Sequence, residues 1–307
     1  MKFFARVPKI DFMAQRKTGL VVSLALTIAA VVLLATRGLN FGIDFTGGVL
    51  VEVVYPQSVE LEEVREHLQT AGYHNAVAQY FGGTANVLIR LPPAENSSSA
   101  EVSTKVLEAL GAEVELRRIE FVGPQVGEEL AEDGSLALLV AFILIFIYIA
   151  FRFEWKFSAG AVAALVHDAL MALGFLSAFW IEFDITTVAA ILALIGYSNN
   201  ETVVIFDRVR ENLINIRRME ILEIANLSVN QTLLRSIITH LTTLLVCTAL
   251  FVLGGPSVHS FSVTLIVGVI VATYSSIYVS TSAAVALGVS REDLLPPKLD
   301  ENTDKMP

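Results

Sequence analysis

Six stretches of about 20 mostly apolar residues dominate this chain of 307 residues. A helix needs about 20 residues to cross the roughly 30 Å of hydrocarbon in a bilayer. Charged residues make up only 17% of the sequence, whereas a soluble domain has about 25%. We therefore predict an α-helical membrane protein with six transmembrane helices. The predicted helices are 18–36, 135–153, 157–180, 185–206, 237–253 and 261–287.

Lysine and arginine are distributed unevenly among the segments that separate these runs. Fifteen of them fall in 1–17, 152–156, 207–236 and 288–307, and none falls in the short turns 181–184 and 254–260. Because short cytoplasmic loops carry the excess of positive charge, we predict that both termini face the cytoplasm. The prediction makes 1–17 and 288–307 cytoplasmic ends, 207–236 a cytoplasmic connector, and 37–134 an external domain between the first two helices.

The external segment has the residue pattern of a small α+β domain. Runs with a period of two predict strands and runs with a period of 3.6 predict helices, in the order βαββαβ. This order is typical of the ferredoxin-like arrangement. The predicted elements are 49–55, 58–72, 75–81, 85–91, 98–111 and 113–122.

Acidic residues are concentrated in the same external segment, which holds sixteen of them against six basic residues. Its excess negative charge equals the net charge of −10 of the whole chain. Nucleic-acid binding needs a basic face, so we expect no nucleic-acid partner. A solvated surface explains the acidity more simply than an acidic ligand site does. The single cysteine, Cys247, lies in the fifth apolar run, so we expect no disulfide in the external domain.

Ionisable and amide side chains inside the apolar runs are few, and each is costly to bury in hydrocarbon. Such residues usually face a helix bundle or a wet cavity and serve a function. They are therefore the candidates for a functional site. The set consists of His167, Asp168, Asn199, Asn200, Glu201, Arg235 and His240.

Glu201 is the leading candidate because its own helix face offers it no partner. Arg208 lies seven residues away, about 10 Å along a helix axis, so another helix or a bound proton has to satisfy the carboxylate. Arg235 is expected at a similar depth, and we predict that the two can meet. A stripe of hydroxyl groups able to bind water or an ion follows Arg235, at Thr239, Thr242 and Thr243.

Two interpretations of this group stay open. In the first, a cation that comes and goes at Glu201, beside Asn199 and Asn200, couples ion flow to movement. In the second, the polar side chains only hold the helices together, and the protein is a passive scaffold or docking subunit. Asp168 stands beside His167 near the middle of the third run, and it fits a relay and a structural hydrogen bond equally well.

Small residues predict where the helices touch. They recur at helical spacing at Gly160 and Ala164 in the third run, and at Gly268, Ala272, Ser276 and Ser280 in the sixth. The range 209–234 has scattered apolar positions, which indicate either an amphipathic helix on the cytoplasmic surface or a plain connector.

The stretch "GIDFTGG" at 42–48 follows the first predicted helix. Gly42, Gly47 and Gly48 suit a sharp turn where the chain leaves the bilayer, since glycine tolerates positive φ. Asp44 is expected to cap that turn rather than to bind an ion.

Motifs for intramembrane or ATP-driven chemistry are absent from the sequence, which has no H-E-x-x-H, no G-x-S-x-G and no P-loop. We therefore expect no enzyme activity and no catalytic residue. No metal site and no cofactor are expected either, apart from a proton or sodium ion as the coupled cation.

Four motifs resemble, in order and spacing, the SecF family of bacterial protein-export subunits. They are "GIDFTGG" (42–48), "FVGPQVGEEL" (121–130), "GYSNNETVVIFDRVREN" (196–212) and "NQTLLRSIITHLTTLL" (230–245). The similarity extends from Thr18 to Leu287. It implies a six-helix half of a resistance-nodulation-division transporter in the bacterial cytoplasmic (inner) membrane.

The resemblance also implies partners and residue roles. The half-transporter would pair with SecD beside the SecYEG translocon and YajC- or YidC-type subunits, and would use an ion gradient to help pull unfolded preproteins across the lipid bilayer. Glu201 stands where the family usually has aspartate in "GYSxND", and Arg235 stands where the family has a functional arginine. Asp207 and Arg208 continue the same motif and are expected to be structural.

Overall fold

The computed structural model describes residues 8–92, 99–111 and 113–294. Within these ranges, six helices are long and apolar enough to cross a membrane, which confirms the six predicted transmembrane helices. Parts of the predicted cytoplasmic ends, 1–7 and 295–307, lie outside the described residues. The six helices occupy Met13–Thr36, Pro124–Arg152, Trp155–Phe179, Ile185–Asn215, Ile221–Leu253 and His259–Ala286.

We number the elements along the chain. The membrane helices are α1 (Arg16–Thr36), α5 (Pro124–Arg152), α6 (Trp155–Phe179), α7 (Ile185–Asn215), α8 (Ile221–Leu253) and α9 (His259–Ser275). A π-helical turn, Ser276–Ser280, continues α9 into α10 (Thr281–Ala286). Single π-helical turns inside α-helices are frequent at functional sites.

Local sequence sets the ends of these helices. α5 begins with Pro124 at its first turn, where a missing N–H costs nothing. α6 ends at Phe179, and the next residue, Trp180, adopts the left-handed conformation with φ of 55° as its C-cap. α7 is capped by Asp184, the residue before its first turn, whose side chain accepts from the backbone N–H of Thr187 in a capping box.

The range 209–234 does not form a separate surface helix. α7 continues to Asn215, residues 216–220 form a short turn, and α8 begins at Ile221. Buried Asn212 on α7 explains this hairpin, because its amide donates to Ser228 and Gln231 on α8 at 2.8 Å each. The stretch that was predicted as a connector is therefore mostly the paired ends of two long helices.

The external domain has the predicted ferredoxin-like fold. One sheet runs in the order β3-β4-β2-β5 with every neighbouring pair antiparallel. The two helices pack on it around an apolar core. The elements are β2 (Gly48–Val54), α3 (Leu61–Thr70), β3 (Val77–Tyr80), β4 (Asn86–Leu91), α4 (Ser99–Leu110) and β5 (Glu115–Val122).

A second, two-stranded sheet joins this domain to the membrane helices. Strand β1 (Asn40–Phe41) pairs in parallel with β6 (Glu182–Phe183), which lies in the turn between α6 and α7. The N–H of Gly42 extends the ladder by donating to Phe183 O at 2.9 Å. Asp44, on the short helix α2 (Ile43–Thr46), accepts from Ile185 N at 2.9 Å. The carboxylate thus caps the start of α7 rather than its own turn.

Glycines of the 42–48 stretch serve two purposes. Gly47 and Gly48 have φ of 67° and 130°, a region that favours glycine, and this part of the prediction is confirmed. Gly42 has φ of −73°, which other residues also adopt. Glycine is needed there for lack of space, because a Cβ atom would lie 2.8 Å from the Glu182 carboxylate. Gly127 on α5 is needed because a Cβ would lie 2.9 Å from Gly47 N.

Close helix contacts in the membrane core occur at the predicted small residues. An added Cβ at Gly160 on α6 would lie 2.6 Å from Ser280 O, and one at Gly268 on α9 would lie 2.5 Å from the Leu194 side chain. These contacts bring the backbones of α6, α7 and α9 together at the centre of the bundle.

Candidate functional site

Glu201 lies inside the helix bundle with 6% of its surface exposed. It is on the face of α7 that packs against α8, where two side chains reach it. Ser236 donates from Oγ to Oε1 of the carboxylate, and His240 Nε2 lies 3.5 Å from Oε2. Both residues belong to one face of α8 because they are four positions apart. Another helix thus supplies the partners of Glu201, as the sequence indicated.

His240 in turn connects this group to α9. Its Nδ1 lies 2.7 Å from Oγ1 of Thr273. The imidazole ring also lies against Tyr197 of α7, with ring centroids 5.4 Å apart. Three helices therefore meet at one carboxylate and one imidazole.

A second buried acid, Asp168, lies in the middle of α6 with 1% of its surface exposed. Ser198 on α7 and Ser275 on α9 both donate to Oδ2, at 2.5 and 2.7 Å. His167 Nδ1 lies 2.9 Å from Oδ1. Ser275 is the last residue before the π-helical turn. This carboxylate is therefore held from three helices.

The two acid groups are neighbours in the bundle. Ser198, a partner of Asp168, lies three residues before Glu201 on α7, so both are on one helical face. Thr273 and Ser275 sit two residues apart on α9, one in each group. Near them, Thr202 Oγ1 and His167 Nε2 are buried with no hydrogen-bond partner among the described residues. Incomplete hydrogen bonding of this kind is costly in a low-dielectric interior.

Arg235 does not reach Glu201. Its side chain is exposed on the outer surface of α8, and within the described ranges it makes no hydrogen bond or ion pair. A helix advances about 100° per residue, so the neighbouring Ser236 points inwards instead. The predicted meeting of Glu201 and Arg235 is absent from this structure.

The hydroxyl groups of the stripe on α8 donate hydrogen bonds to backbone carbonyls of the same helix. Thr239, Thr242 and Thr243 each donate to a carbonyl oxygen about one turn earlier, at 2.9 to 3.0 Å. Hydroxyls bonded in this way keep lone pairs but have no proton left to donate. The stripe therefore offers acceptors only.

Asn199, Asn200, Asp207 and Arg208, four other polar residues of the "GYSNNETVVIFDRVREN" stretch, form no hydrogen bond or ion pair with the acid. Asn200 is exposed, and buried Oδ1 of Asn199 has no partner among the described residues. Asp207 accepts from Arg152 at the end of α5 at 2.7 Å, and Arg208 pairs with Glu211 at 2.9 Å. These two ion pairs lie at the helix ends, away from Glu201.

A cavity of about 610 Å³ lies where the external domain meets the membrane helices. Acidic side chains from both sides face it, including Asp44, Glu120, Glu182 and Asp184. Burial raises the pKa of Glu182 from its ordinary value, and the nearby acids raise it further, although Arg90 at 3.2 Å opposes this. Among the described residues, no group of three or more His, Cys, Asp or Glu side chains is arranged to hold a metal ion.

Sequence reasoning named Glu201 and His240 but did not predict that they meet. Ser236, which contacts Glu201, and Thr273, which contacts His240, were not among the predicted site residues. One signal in the sequence identifies the inward face of α8: Thr232, Ser236 and His240 recur every four positions, and all three are buried.

The chain is similar over its length to proteins of one export system. Residues 102–290 match the family described as protein export membrane protein SecD/SecF, C-terminal, and residues 32–59 match the SecD/SecF GG motif. Protein translocase subunit SecF of Pseudomonas aeruginosa is 45% identical over 303 residues, which cover 98% of this chain and 99% of that protein. The subunit of the same name from Vibrio alginolyticus is 44% identical, with 97% of each chain covered.

A solved structure shares the fold. The crystal structure of SecDF, a translocon-associated membrane protein from Thermus thermophilus, matches with a TM-score of 0.85 and 36% identity. The match covers 93% of this chain. It covers 39% of the length of the Thermus thermophilus chain.

Proposed function

The chain belongs to the SecD/SecF family of protein export membrane proteins, and from this we propose that it couples an ion gradient to protein export. It is a multi-pass protein of the inner membrane and a protein-export subunit of the SecF type. The observation that carries the coupling proposal is the buried carboxylate of Glu201 on α7, which accepts a hydrogen bond from Ser236 of α8 and faces the imidazole of His240 at 3.5 Å.

A carboxylate in this position is suited to bind and release a cation. The carboxylate is buried, and among the described residues no lysine or arginine side chain pairs with it. Moving one elementary charge through 100 mV releases about 2.3 kcal/mol. A typical hydrogen bond contributes about 1 kcal/mol. One proton or sodium ion per cycle is therefore enough to exchange one or two hydrogen bonds between α7 and α8, which moves these helices relative to each other.

We also propose a partner subunit that forms the second half of the transporter, and an orientation of this chain in the membrane. Transporter sites form between related halves, and SecD is the expected second half. Exposed Arg235 on α8 supports this, because an arginine on the outer surface of a membrane helix needs a partner. We further expect the SecYEG translocon and YajC- or YidC-type subunits as neighbours, unfolded preproteins as substrates, and both termini in the cytoplasm. Enzyme activity and a cofactor other than the ion are not expected.

The first test replaces Glu201 by glutamine in the assembled complex. Glutamine keeps the shape and the hydrogen bond from Ser236 but binds no cation. We expect gradient-dependent export into inverted membrane vesicles to fall at least tenfold, about 1.4 kcal/mol in rate terms. Glu211→Gln is the matched control, because it makes the same change on an exposed part of α7. If both variants export like the wild type while inserted normally, the protein is a passive scaffold.

The second test addresses the identity of the ion. Glu201→Asp restores the family's usual acid and shortens the side chain by one methylene. We expect it to retain coupling with an altered dependence on proton and sodium gradients, since the distance to Ser236 and His240 changes. Export driven by each gradient alone, in wild type and variant, measures this directly. An identical ion dependence would show that the length of this side chain does not select the ion.

A further inference from the structure

His240 is as buried as the acid it faces, with 6% of its side chain exposed. Its two nitrogens have different environments: Nε2 faces Oε2 of Glu201 at 3.5 Å, and Nδ1 faces Oγ1 of Thr273 at 2.7 Å. In the neutral ring one nitrogen donates a hydrogen bond and the other accepts, and these neighbours determine which nitrogen does which.

Thr273 determines which nitrogen carries the ring proton. Its hydroxyl also lies 2.8 Å from the backbone oxygen of Val269, which can only accept a hydrogen bond. Because a hydroxyl has a single proton, Thr273 donates it to Val269 and accepts a hydrogen bond from Nδ1 of His240. The neutral ring therefore holds its proton on Nδ1, and the lone pair of Nε2 faces Glu201.

Charge balance then favours one proton between the two residues. With no proton, the Nε2 lone pair opposes the Glu201 carboxylate, and a net negative charge is buried. With one proton, the pair is neutral as a whole, either as carboxyl and imidazole or as carboxylate and imidazolium. The ring of Tyr197, 5.4 Å from that of His240, stabilises the imidazolium form.

Ser236 accommodates both forms of the pair. Its hydroxyl is within hydrogen-bond reach of Oε1 of Glu201 and of Thr232 O, the latter at 3.2 Å. When Glu201 is ionised, Ser236 donates to Oε1. When the shared proton lies on Oε2, towards His240, Oε1 is a neutral carbonyl oxygen that accepts more weakly, and Thr232 O offers Ser236 a second acceptor.

The geometry points to His240 as the proton partner of Glu201: the two residues hold one exchangeable proton between them, and the coupled cation is H⁺ rather than Na⁺. This inference rests on the proposed function, which identifies Glu201 as the coupling acid. Hard cations take several oxygen ligands, whereas a basic nitrogen occupies one side of this carboxylate. The site is therefore built for a proton.

Other titratable groups near the pair are few within the described chain. On α7 the pair faces Tyr197, and through Ser198 it neighbours the His167–Asp168 pair of α6. On α9 it meets Thr273, while Tyr274 of that helix donates to Gly19 O on α1. None of these is a fixed cation, so the shared proton is the charge that balances Glu201.

The test follows the infrared carboxyl band of Glu201 in the assembled complex with its SecD-type partner in proteoliposomes. The band is identified by its loss in Glu201→Gln. In His240→Gln an amide that holds no exchangeable proton replaces the base. We expect the pH at which the band is lost to change by at least about one unit, a tenfold change in proton affinity. Sodium at fixed pH is expected to leave the wild-type band unchanged.

Thr273→Val provides a second variant, which removes the acceptor of Nδ1 and leaves His240 in place. We expect the band to shift by a smaller amount. The matched controls are Thr264→Val, a buried threonine earlier on α9, and His259→Gln, whose ring lies against Phe81 and Phe251. Neither control is expected to move the band.

An unchanged band in His240→Gln and Thr273→Val overturns the inference, and so does loss of the wild-type band on addition of sodium. If His240→Gln fails to assemble, Thr273→Val decides alone. The coupling role of Glu201 and the proton-partner role of His240 can fail independently. If Glu201→Gln loses export while the carboxyl band is unchanged in His240→Gln and Thr273→Val, only the role of His240 is removed. A shifted band with normal export in Glu201→Gln removes the coupling role of the acid.

Discussion

Asp168 and Glu201 are two buried carboxylates in one helix bundle, yet their surroundings differ. Asp168 accepts from hydroxyls of two other helices and contacts the neighbouring imidazole. Glu201 accepts a hydrogen bond from one hydroxyl, and its second oxygen lies 3.5 Å from a nitrogen of the His240 imidazole. Burial alone therefore does not identify a functional acid. The number of hydrogen-bond donors around each carboxylate is the useful difference. We expect Asp168, with more donors, to keep one arrangement and Glu201, with fewer, to adopt two.

The largest expected effect concerns the free energy of unfolding. Asp168→Ala leaves Ser198 and His167 without their partner inside the bundle, while Ser275 can turn to Ala272 O, and we expect a loss of about 3 kcal/mol. Glu201→Ala is expected to cost about 1 kcal/mol, because Ser236 can turn to Thr232. Reversible unfolding of the purified protein in mixed micelles measures both.

Glu211→Ala is the control for this pair of variants, since an exposed acid on α7 should change stability by less than about 0.5 kcal/mol. Equal losses for Asp168→Ala and Glu201→Ala would remove the distinction between the two sites.

A smaller effect is expected for single hydrogen bonds. A double-mutant cycle between Ser198 and Asp168 should give a coupling energy of about 1 kcal/mol, within the range measured for hydrogen bonds between membrane helices. This value is expected to be the same at acid and neutral pH. The cycle between Ser236 and Glu201 is expected to change with pH, because Ser236 has a second acceptor in Thr232. A pH-independent coupling at Glu201 would contradict the two-state description.

The sequence was sufficient to predict the transmembrane helices and the external fold, since both depend on hydrophobic patterns with known periods. Helix ends were less predictable, because α7 and α8 extend as a hairpin held by Asn212, a contact that no local pattern records. The partners of Glu201 were missed for a geometric reason. Arg235 and Ser236 are adjacent in sequence, and only the packed structure shows that the serine faces inwards.

Glu182, in the turn between α6 and α7, extends the comparison to a third acid, outside the membrane. Burial raises its pKa above the ordinary value, so the folded protein binds its proton more tightly than the unfolded chain does. That contribution to stability is complete below the unfolded pKa and is lost as the pH rises through the folded one. The junction with the external domain is therefore expected to weaken slightly from acid towards neutral pH.

Trp180 lies in this junction, so its fluorescence in a Trp155→Phe background reports the denaturation midpoint. Glu182→Gln is expected to abolish this part of the pH dependence while keeping the size of the side chain. The same pH dependence in wild type and variant would assign it to a group other than Glu182.

The smallest expected effect on the free energy of unfolding concerns Thr202, the residue after Glu201. Thr202 has a buried hydroxyl with no hydrogen-bond partner among the described residues. Thr202→Val replaces it with a methyl group of similar shape, and we expect the free energy of unfolding to stay within about 0.5 kcal/mol or to rise. The matched control is Ser198→Ala, where the lost hydroxyl does donate to Asp168 and stability should fall. A marked loss in Thr202→Val would reveal a partner for that hydroxyl.

Asp44 gives the external domain a direct hold on α7. The carboxylate belongs to the first segment after α1, yet it accepts from the first N–H of the helix that carries Glu201. Glu201 lies sixteen positions after Ile185, about 24 Å along a rigid helix axis. Under the coupling that we propose, a displacement of α7 at Glu201 would therefore act directly on the hydrogen bond between Ile185 and Asp44. The helix itself would connect the acid to the external domain, so no chain of intermediate residues is required.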